Sequence, residues 1–225
     1  MTKVVALLPM KGNSERVPNK NLKDFCGKPL FHLVLETLLD SKYITQVVVN
    51  TDSENIKADI AQHFDDRVVV HNRPKAIQGD FVSMNKVIAE DLSRCKADFY
   101  VQTHSTNPLL KTSSLDNAIE RMINYQKSGT YDSIFSVTKI QTRLYDQYGN
   151  AFNHNPKELI RTQDLPPLFE ENSNFFIFTE NSFKKSEGKR IGINPKMFEI
   201  DKLEAIDIDE PQDFIIAETL YKLLR

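Results

Sequence analysis

A polar loop near the amino terminus collects much of the cationic chemistry of the sequence. The stretch Leu7–Asn21 begins as an apolar run and then places Lys11, Arg16 and Lys20 close together, with Ser14 among them. Three cations with hydroxyl and amide donors suit a polyanion such as a triphosphate. The alternative is a solvated turn with ordinary surface charge, because basic loops are common in soluble proteins.

A second candidate is a pair of aspartates near the carboxyl terminus. Asp207 lies in a predicted strand over Ala205–Ile208 and Asp209 follows that strand directly. Because the two residues are two positions apart, both side chains face the same side. Carboxylates about 6–7 Å apart along a strand repel each other unless a cation lies between them. Mg²⁺ takes such oxygen ligands when it also binds substrate phosphates. Alternatively, Asp209 or Glu210 only caps a final helix that begins at Pro211.

Further polar residues follow other predicted strands. Asn50–Asp52 ends one apolar run, Arg73 ends a second and His104 ends a third. In open α/β sheets the ligand crevice lies outside the carboxyl ends of the strands, so these groups are candidates for the same site wall. The simpler reading gives Asp52 or Ser53 the role of a helix cap and His104 that of a turn residue.

The elements that must position these groups alternate between strand and helix. Short β-branched runs predict strands, and apolar residues at i, i+3 and i+4 predict helices between them. This alternation favours an α/β fold, a three-layer, doubly wound and mostly parallel sheet. Strands are predicted near residues 4–8, 46–50, 67–71, 99–103, 133–137, 174–178, 198–200 and 205–208, and a final helix near 211–224.

Residues 138–172 interrupt the alternation. They are polar, contain three prolines and have no clear period. An irregular stretch of this length inside a domain is usually a lid, an arm or a partner contact. We therefore expect one domain over residues 1–225 with an arm at 138–172.

Composition excludes several classes of protein. The chain has 225 residues, 29 Lys and Arg against 31 Asp and Glu, and a net charge of −2, which offers no case for general nucleic-acid binding. We see no membrane span or signal peptide, and two cysteines predict a reduced, cytoplasmic protein. Neither a dinucleotide-binding fingerprint nor a Walker loop occurs.

Seven segments follow one another in the order of a known family's motifs. They are Pro9–Asn21 with Gly27–Leu30, Asn50–Asp52, Arg73–Pro74 with Asp80 and Ser83, Thr106–Leu109, Gln163–Pro166, Glu171–Phe178 and Ile206–Asp209. Together they resemble the acylneuraminate cytidylyltransferases, a family of CMP-sialic acid and CMP-Kdo synthetases. The resemblance covers nearly the whole chain.

The resemblance implies a nucleotidyltransferase that moves CMP from CTP to an acidic 2-keto sugar and releases pyrophosphate. It implies a Rossmann-like fold, Mg²⁺ on Asp207 and Asp209, and a homodimer whose arm supplies cations to the sugar carboxylate. The sugar hydroxyl must lose a proton, and Asp209 or a water on the metal is the candidate acceptor. The implied nucleotide-binding residues are Lys11, Ser14, Arg16, Lys20, Asn21, Arg73, Ser83 and His104, with Lys11 and Lys20 also catalytic. The implied sugar-binding residues are Arg143, Arg161, Gln163 and Asn172.

Four positions depart from the family pattern, and three other functions stay open. Lys11 replaces an arginine, Thr162 replaces an arginine, Ser173 replaces a glycine and His104 aligns with a glutamine of some members. The alternatives are the same reaction on Kdo or another acidic sugar, a nucleotide-sugar binding protein without catalysis, and a glycosyltransferase with a metal-binding D-x-D motif.

Overall fold

A seven-stranded sheet forms the centre of the computed structural model, which describes residues 2–224. Its strands are β1 (Val4–Leu7), β4 (Ile44–Thr51), β5 (Val68–Asn72), β6 (Phe99–Thr103), β7 (Ser133–Ile140), β8 (Leu168–Phe178) and β9 (Pro195–Glu199). The helices are α1 (Leu30–Leu39), α2 (Glu54–His63), α3 (Met84–Arg94), α4 (Thr112–Ser128), α5 (Glu180–Lys185) and α6 (Pro211–Leu224). A separate hairpin joins β2 (Asp24–Phe25) to β3 (Lys28–Pro29).

The strands lie in the order β5-β4-β1-β6-β8-β7-β9. The pairs β1–β4, β1–β6, β4–β5 and β7–β9 are parallel. Strand β8 is antiparallel to both of its neighbours, β6 and β7. The prediction of a mostly parallel sheet in an α/β fold is therefore confirmed.

Helices cover both faces of the sheet because the central strands are apolar on both sides. Along β1, Val4 and Ala6 join the core that includes α1, α2 and α4, whereas Val5 and Leu7 join the core beneath α3. A third cluster packs α6 against the β2–β3 hairpin, with Phe25 edge-to-face against Phe214 at 5.4 Å. Within residues 2–224, none of the helices is long and apolar enough to cross a bilayer.

The segment 205–208 is not a strand, so this prediction is wrong. Its main chain is held by the loop after β6 instead: Ile208 N donates to Thr106 O at 2.9 Å, and Asn107 Nδ2 donates to Ile206 O at 3.4 Å. The alternation read from the sequence nevertheless persists, because Ile208 is fully buried while Asp207 and Asp209 line a cleft.

The irregular chain between β7 and β8 is shorter than 138–172. Strand β7 continues to Ile140 and β8 begins at Leu168, and their pairing takes up both ends of the segment. We call the remaining residues, 141–167, the arm. Its backbone has one isolated bridge, Tyr145 to Ala151, and one 3-10 turn, Thr162–Asp164.

Candidate active site

The candidate site is a cleft at the carboxyl ends of β1, β5 and β6, closed on one side by the segment before α6. Its volume is about 550 Å³. The loops that follow these strands contribute most of its walls, as expected for an open α/β sheet. Among its lining residues are Lys11, Ser14, Arg16, Lys20, Asn21, Arg73, Asp80, His104, Arg190, Asp207 and Asp209.

Lys20, from the amino-terminal loop, contacts the segment before α6 in this cleft. Its side chain is 12% exposed, and its Nζ lies 3.6 Å from Asp209 Oδ1. The same Nζ donates to Ile208 O at 2.6 Å. Lys20 begins a 3-10 turn that follows Asn19 in a left-handed conformation, which asparagine tolerates better than most residues. This turn brings the lysine from the amino-terminal loop to the late aspartates.

Arg16 contacts the same carboxylate oxygen as Lys20. Its guanidinium contacts Asp209 Oδ1 at 2.9 Å and Glu210 Oε1 at 3.2 Å. The hydrogen bond that Arg16 donates to Glu210 and the charge of Asp209 raise the pKa of Arg16. All three side chains are about half exposed, so solvent screens the pairing and a polyanion or cation could replace it at little cost.

Asp207 lines the same cleft, and its residue surface is still open to solvent. Desolvation within the cleft raises the pKa of its carboxyl group, and the charge of Asp209 adds to that rise, while a hydrogen bond from Thr106 opposes it. A divalent cation would stabilise the ionised form of a carboxylate that is desolvated and has a second carboxylate beside it. The donor set therefore fits Mg²⁺.

Lys11 and Asn21 shape the mouth of the cleft. Lys11 Nζ contacts Asp80 Oδ1 at 2.6 Å, which lowers the pKa of Asp80. Asn21 braces the loop, donating to Lys11 O at 3.0 Å and accepting from Ser105 Oγ at 2.7 Å. Solvent screens an exposed ion pair of this type, so phosphate oxygens could displace Asp80 from Lys11.

Arg73 forms part of the cleft wall and is almost fully buried. It donates to Asn50 Oδ1 and Asn50 O, both at 2.8 Å, and to Met10 O at 3.2 Å. Behind it, Asp91 Oδ1 accepts from Asn50 Nδ2 at 2.7 Å and contacts His71 Nδ1 at 2.7 Å. Burial lowers the pKa of Arg73. This network links the chain after β1 and after β5 to the end of β4 and to α3.

Asp91→Ala is expected to lower the free energy of unfolding by about 3 kcal/mol, because two buried polar groups lose their shared acceptor. Urea unfolding followed by circular dichroism measures the change. The matched control is Glu90→Ala on the same helix, whose carboxylate lies 3.9 Å from Arg94 NH1. A change below about 0.5 kcal/mol is expected there. Equal effects of the two substitutions would contradict the network.

His104 lies deeper in the cleft, beside Gln102 and Arg190. Desolvation, followed by the charge of Arg190, lowers the pKa of His104 to about 4. Its Nε2 lies 3.4 Å from Gln102 Nε2. The imidazole is therefore neutral at physiological pH and offers a hydrogen bond to a ligand without adding charge.

This pKa predicts a loss of stability in mild acid. The unfolded chain binds a proton at His104 with the ordinary pKa of 6.5, and the native chain does so only near 4. The contribution of neutral His104 to the free energy of unfolding is therefore complete above pH 6.5, and it falls as the pH drops toward 4. Between pH 7.5 and 4.5, the wild type should lose about 2 kcal/mol more than His104→Gln in urea unfolding. If the free energy of unfolding changed with pH in the same way for both proteins, the lowered pKa of His104 would be refuted.

Arg190 is a cleft residue that the sequence reasoning missed. Its guanidinium lies 3.7 Å from the centre of the Phe176 ring, and NH1 donates to Gln102 Oε1 at 2.7 Å. It occupies a lysine- and serine-containing loop between α5 and β9, where the local sequence indicates only surface charge. No pattern around it predicts that the loop contacts the central strands β6 and β8.

None of the four sugar-binding candidates lines the cleft itself. Asn172 lines a second cavity of about 450 Å³, the side cavity, which shares Ser173 and Asp207 with the cleft. Ser173 has a left-handed conformation with φ 56°, which explains why the family pattern has glycine there. Asn172 Nδ2 donates to Thr138 Oγ1 at 2.8 Å.

Arg143, Arg161 and Gln163 lie in the arm and line neither cavity within this chain. Arg143 donates to Ile160 O, Arg161 pairs with Asp164 at 2.7 Å, and the main-chain oxygen of Gln163 accepts from Gln141. Ser83 caps α3 and borders a separate hollow of about 310 Å³ beside Arg190, not the cleft itself.

Comparison with known proteins gives consistent matches. The sequence model of a family described as cytidylyltransferase matches residues 5–223. The pseudaminic acid cytidylyltransferase of Campylobacter jejuni is 26% identical over 98% of this chain and 97% of its own. The N-acylneuraminate cytidylyltransferase of Escherichia coli is 26% identical over 97% of this chain and 52% of its own. A solved CMP:2-keto-3-deoxy-manno-octonic acid synthetase complexed with CTP shares the fold, with a TM-score of 0.72, 15% identity and full coverage of both chains.

Proposed function

Because the chain belongs to the cytidylyltransferase family, whose members are nucleotidyltransferases, we propose that it transfers CMP from CTP to a 2-keto acid sugar of the sialic acid type and releases pyrophosphate. The observation that carries the proposal is the meeting of Lys20 with Asp209 in one cleft, although the two residues lie far apart in the sequence. The cleft therefore combines a cationic side chain that could bind a triphosphate with carboxylates that could bind a metal ion.

In the proposed reaction, the oxygen of the sugar's anomeric hydroxyl attacks the α-phosphorus of CTP. The bond from that phosphorus to the bridging oxygen breaks, and pyrophosphate leaves with the negative charge. Lys11 and Lys20 are proposed to hold the phosphate oxygens, since this chemistry depends mainly on alignment and charge neutralisation. The hydroxyl proton passes to the carboxylate of Asp209. The half-exposed contact between this carboxylate and Arg16 is broken when the substrate binds.

Asp207 and Asp209 are the residues proposed to hold Mg²⁺. When bound, the ion would neutralise charge on the phosphate groups. A bound cation would stabilise the ionised form of Asp207, whose pKa is raised mainly by desolvation and further by the charge of Asp209. Ser14, Asn21, Arg73 and His104 are proposed to contact or frame the nucleotide, and all four line the cleft.

The side cavity is the proposed place for the acceptor sugar, because it adjoins Asp207 and has polar walls that include Asn172. The arm is proposed to complete the site in a homodimer. It exposes several large apolar side chains, which in a soluble protein suggest a surface that is covered by a partner. These are Tyr145, Tyr148, Phe152, Leu159 and Ile160.

A pyrophosphate-release assay tests the proposed function. The purified protein with Mg²⁺ is given CTP, UTP, ATP or GTP, each with pseudaminic acid, N-acetylneuraminic acid or Kdo. Turnover is expected with CTP and one of the two nine-carbon acids. Turnover with Kdo alone would favour the alternative in which the same reaction acts on Kdo. Binding of CMP-sugars without any turnover would favour a non-catalytic binding protein, and turnover with UTP but not CTP would overturn the assignment of the base.

Mixing two inactive variants tests whether the arm acts across a dimer. Arg161→Ala removes an exposed guanidinium from the arm, and Asp209→Asn disables the cleft. If each site combines one protomer's cleft with the other's arm, a fully exchanged equimolar mixture should recover about a quarter of wild-type activity. No recovery above the sum of the separate variants would place Arg161 on its own protomer's site, and full activity of Arg161→Ala would remove it from the sugar site.

A further inference from the structure

Two histidines and an aspartate form a cluster between α1 and α2 that the proposed chemistry does not use. His32 lies on α1, while Asp59 and His63 lie one turn apart on α2. One candidate ligand atom from each residue lies within 4.8 Å of the other two. None of the three lines the cleft or the side cavity. We propose that this cluster, the helix-pair site, binds a divalent cation of the zinc class.

The ligand types suit such an ion. Two imidazoles with one carboxylate form a donor set found in three-ligand zinc centres, and imidazole also suits Co²⁺ and Ni²⁺. With bonds of about 2.0–2.1 Å, the ligand atoms of a tetrahedral site lie about 3.3 Å apart. His63 Nδ1 and Asp59 Oδ1 are separated by 3.5 Å, close to that spacing. His32 Nε2 and Asp59 Oδ1 are 2.5 Å apart and must open slightly to admit an ion.

The surroundings orient the ligands and leave one coordination position accessible. The buried His32 ring packs edge-to-face against Phe31 at 4.5 Å and Phe64 at 4.7 Å, which restricts its rotation. The side chain of His63 is 45% exposed, so water can reach the fourth position. Bound there, the ion would link α1 to α2 on one face of the sheet and stabilise the native state in proportion to its concentration.

A hydrogen-bonded cluster without a metal is the competing account. His63 Nδ1 lies 2.9 Å from the Asp59 carbonyl oxygen, a contact that a histidine at the end of a helix can make by itself. Binding through Nδ1 would exchange that contact for the ion. The two accounts differ in what happens when metal is added, because only a metal site gains affinity from all three side chains together.

Calorimetric titration with ZnCl₂ and visible absorption with CoCl₂ test the site. Both are performed on the wild type and on Asp207→Asn/Asp209→Asn, which lacks the carboxylates proposed for Mg²⁺. We expect one equivalent of Zn²⁺ to bind the double variant, tetrahedral Co²⁺ bands to appear and the melting temperature to rise. His63→Gln in that background should weaken binding about tenfold or more. His154→Gln, a matched control whose ring contacts Tyr145 in the arm, should not.

The inference is overturned if the double variant binds no stoichiometric Zn²⁺, or if His63→Gln binds as tightly as its parent. Equal weakening by His63→Gln and His154→Gln would also overturn it, because it would indicate non-specific binding to surface histidines. If circular dichroism shows that His63→Gln does not fold, Asp59→Asn replaces it with the same expected loss. Catalysis is not measured, so failure of this site leaves the proposed transferase reaction untouched.

Discussion

Asp209→Asn is expected to lower kcat between about 100-fold and 1,000-fold while the protein stays folded. The substitution removes the negative charge that faces Lys20 at 3.6 Å and Arg16 at 2.9 Å, and with it the proposed proton acceptor and cation ligand. The main chain should hold its position, because Asp209 N donates to Asp213 Oδ2 at 3.0 Å independently of the carboxylate. Pyrophosphate release at saturating CTP and sugar measures kcat, and thermal melting checks the fold.

Glu210→Gln provides the matched control for this substitution. Glu210 is the next residue, it is half exposed, and it contacts the same guanidinium of Arg16 at 3.2 Å. Loss of a surface charge at this position should change kcat by no more than about twofold. If both variants lose activity equally, the effect comes from Arg16 or from general charge, and Asp209 has no special role in the reaction.

The amino-terminal half of the fold could be predicted from the sequence because its strands are short apolar runs with clear polar ends. Val4–Leu7 and Phe99–Thr103 are buried along their whole length, and polar loops begin after them at Lys11 and at His104. Parallel pairing then brings the ends of the strands to one edge, so residues that are distant in the sequence share a cleft. The meeting of Lys20 with Asp209 follows from this topology and from the resemblance together.

Features that depend on tertiary contacts could not be read from the local pattern. The alternation at Ile206–Asp209 indicates a strand, yet the segment finds its hydrogen-bond partners in the loop after β6. Arg190 enters the cleft because Phe176 and Gln102 offer it a ring face and an amide oxygen on neighbouring strands. A single sequence carries no signal for such a contact between a loop and two central strands.

Lys20→Met is expected to lower kcat/KM for CTP between about 100-fold and 1,000-fold, because it removes a preorganised cation from a poorly solvated position. The lysine side chain is only 12% exposed, so bulk water and salt cannot replace it at the phosphates. The variant also leaves Ile208 O without the donor that now lies 2.6 Å away, at a cost in stability of about 1–2 kcal/mol. Steady-state kinetics with varied CTP, together with urea unfolding, separates the two effects.

Lys23→Met tests whether position rather than charge decides the outcome. Lys23 follows three residues later, is exposed, and places its Nζ 4.3 Å from the centre of the Phe214 ring, outside the residues that line the cleft. Its loss should cost about 0.5–1 kcal/mol of stability at most and leave kcat/KM nearly unchanged. If Lys23→Met impaired turnover as strongly as Lys20→Met, the net charge of the loop would explain both results. The triphosphate would then have to bind elsewhere than between Lys20 and the aspartates.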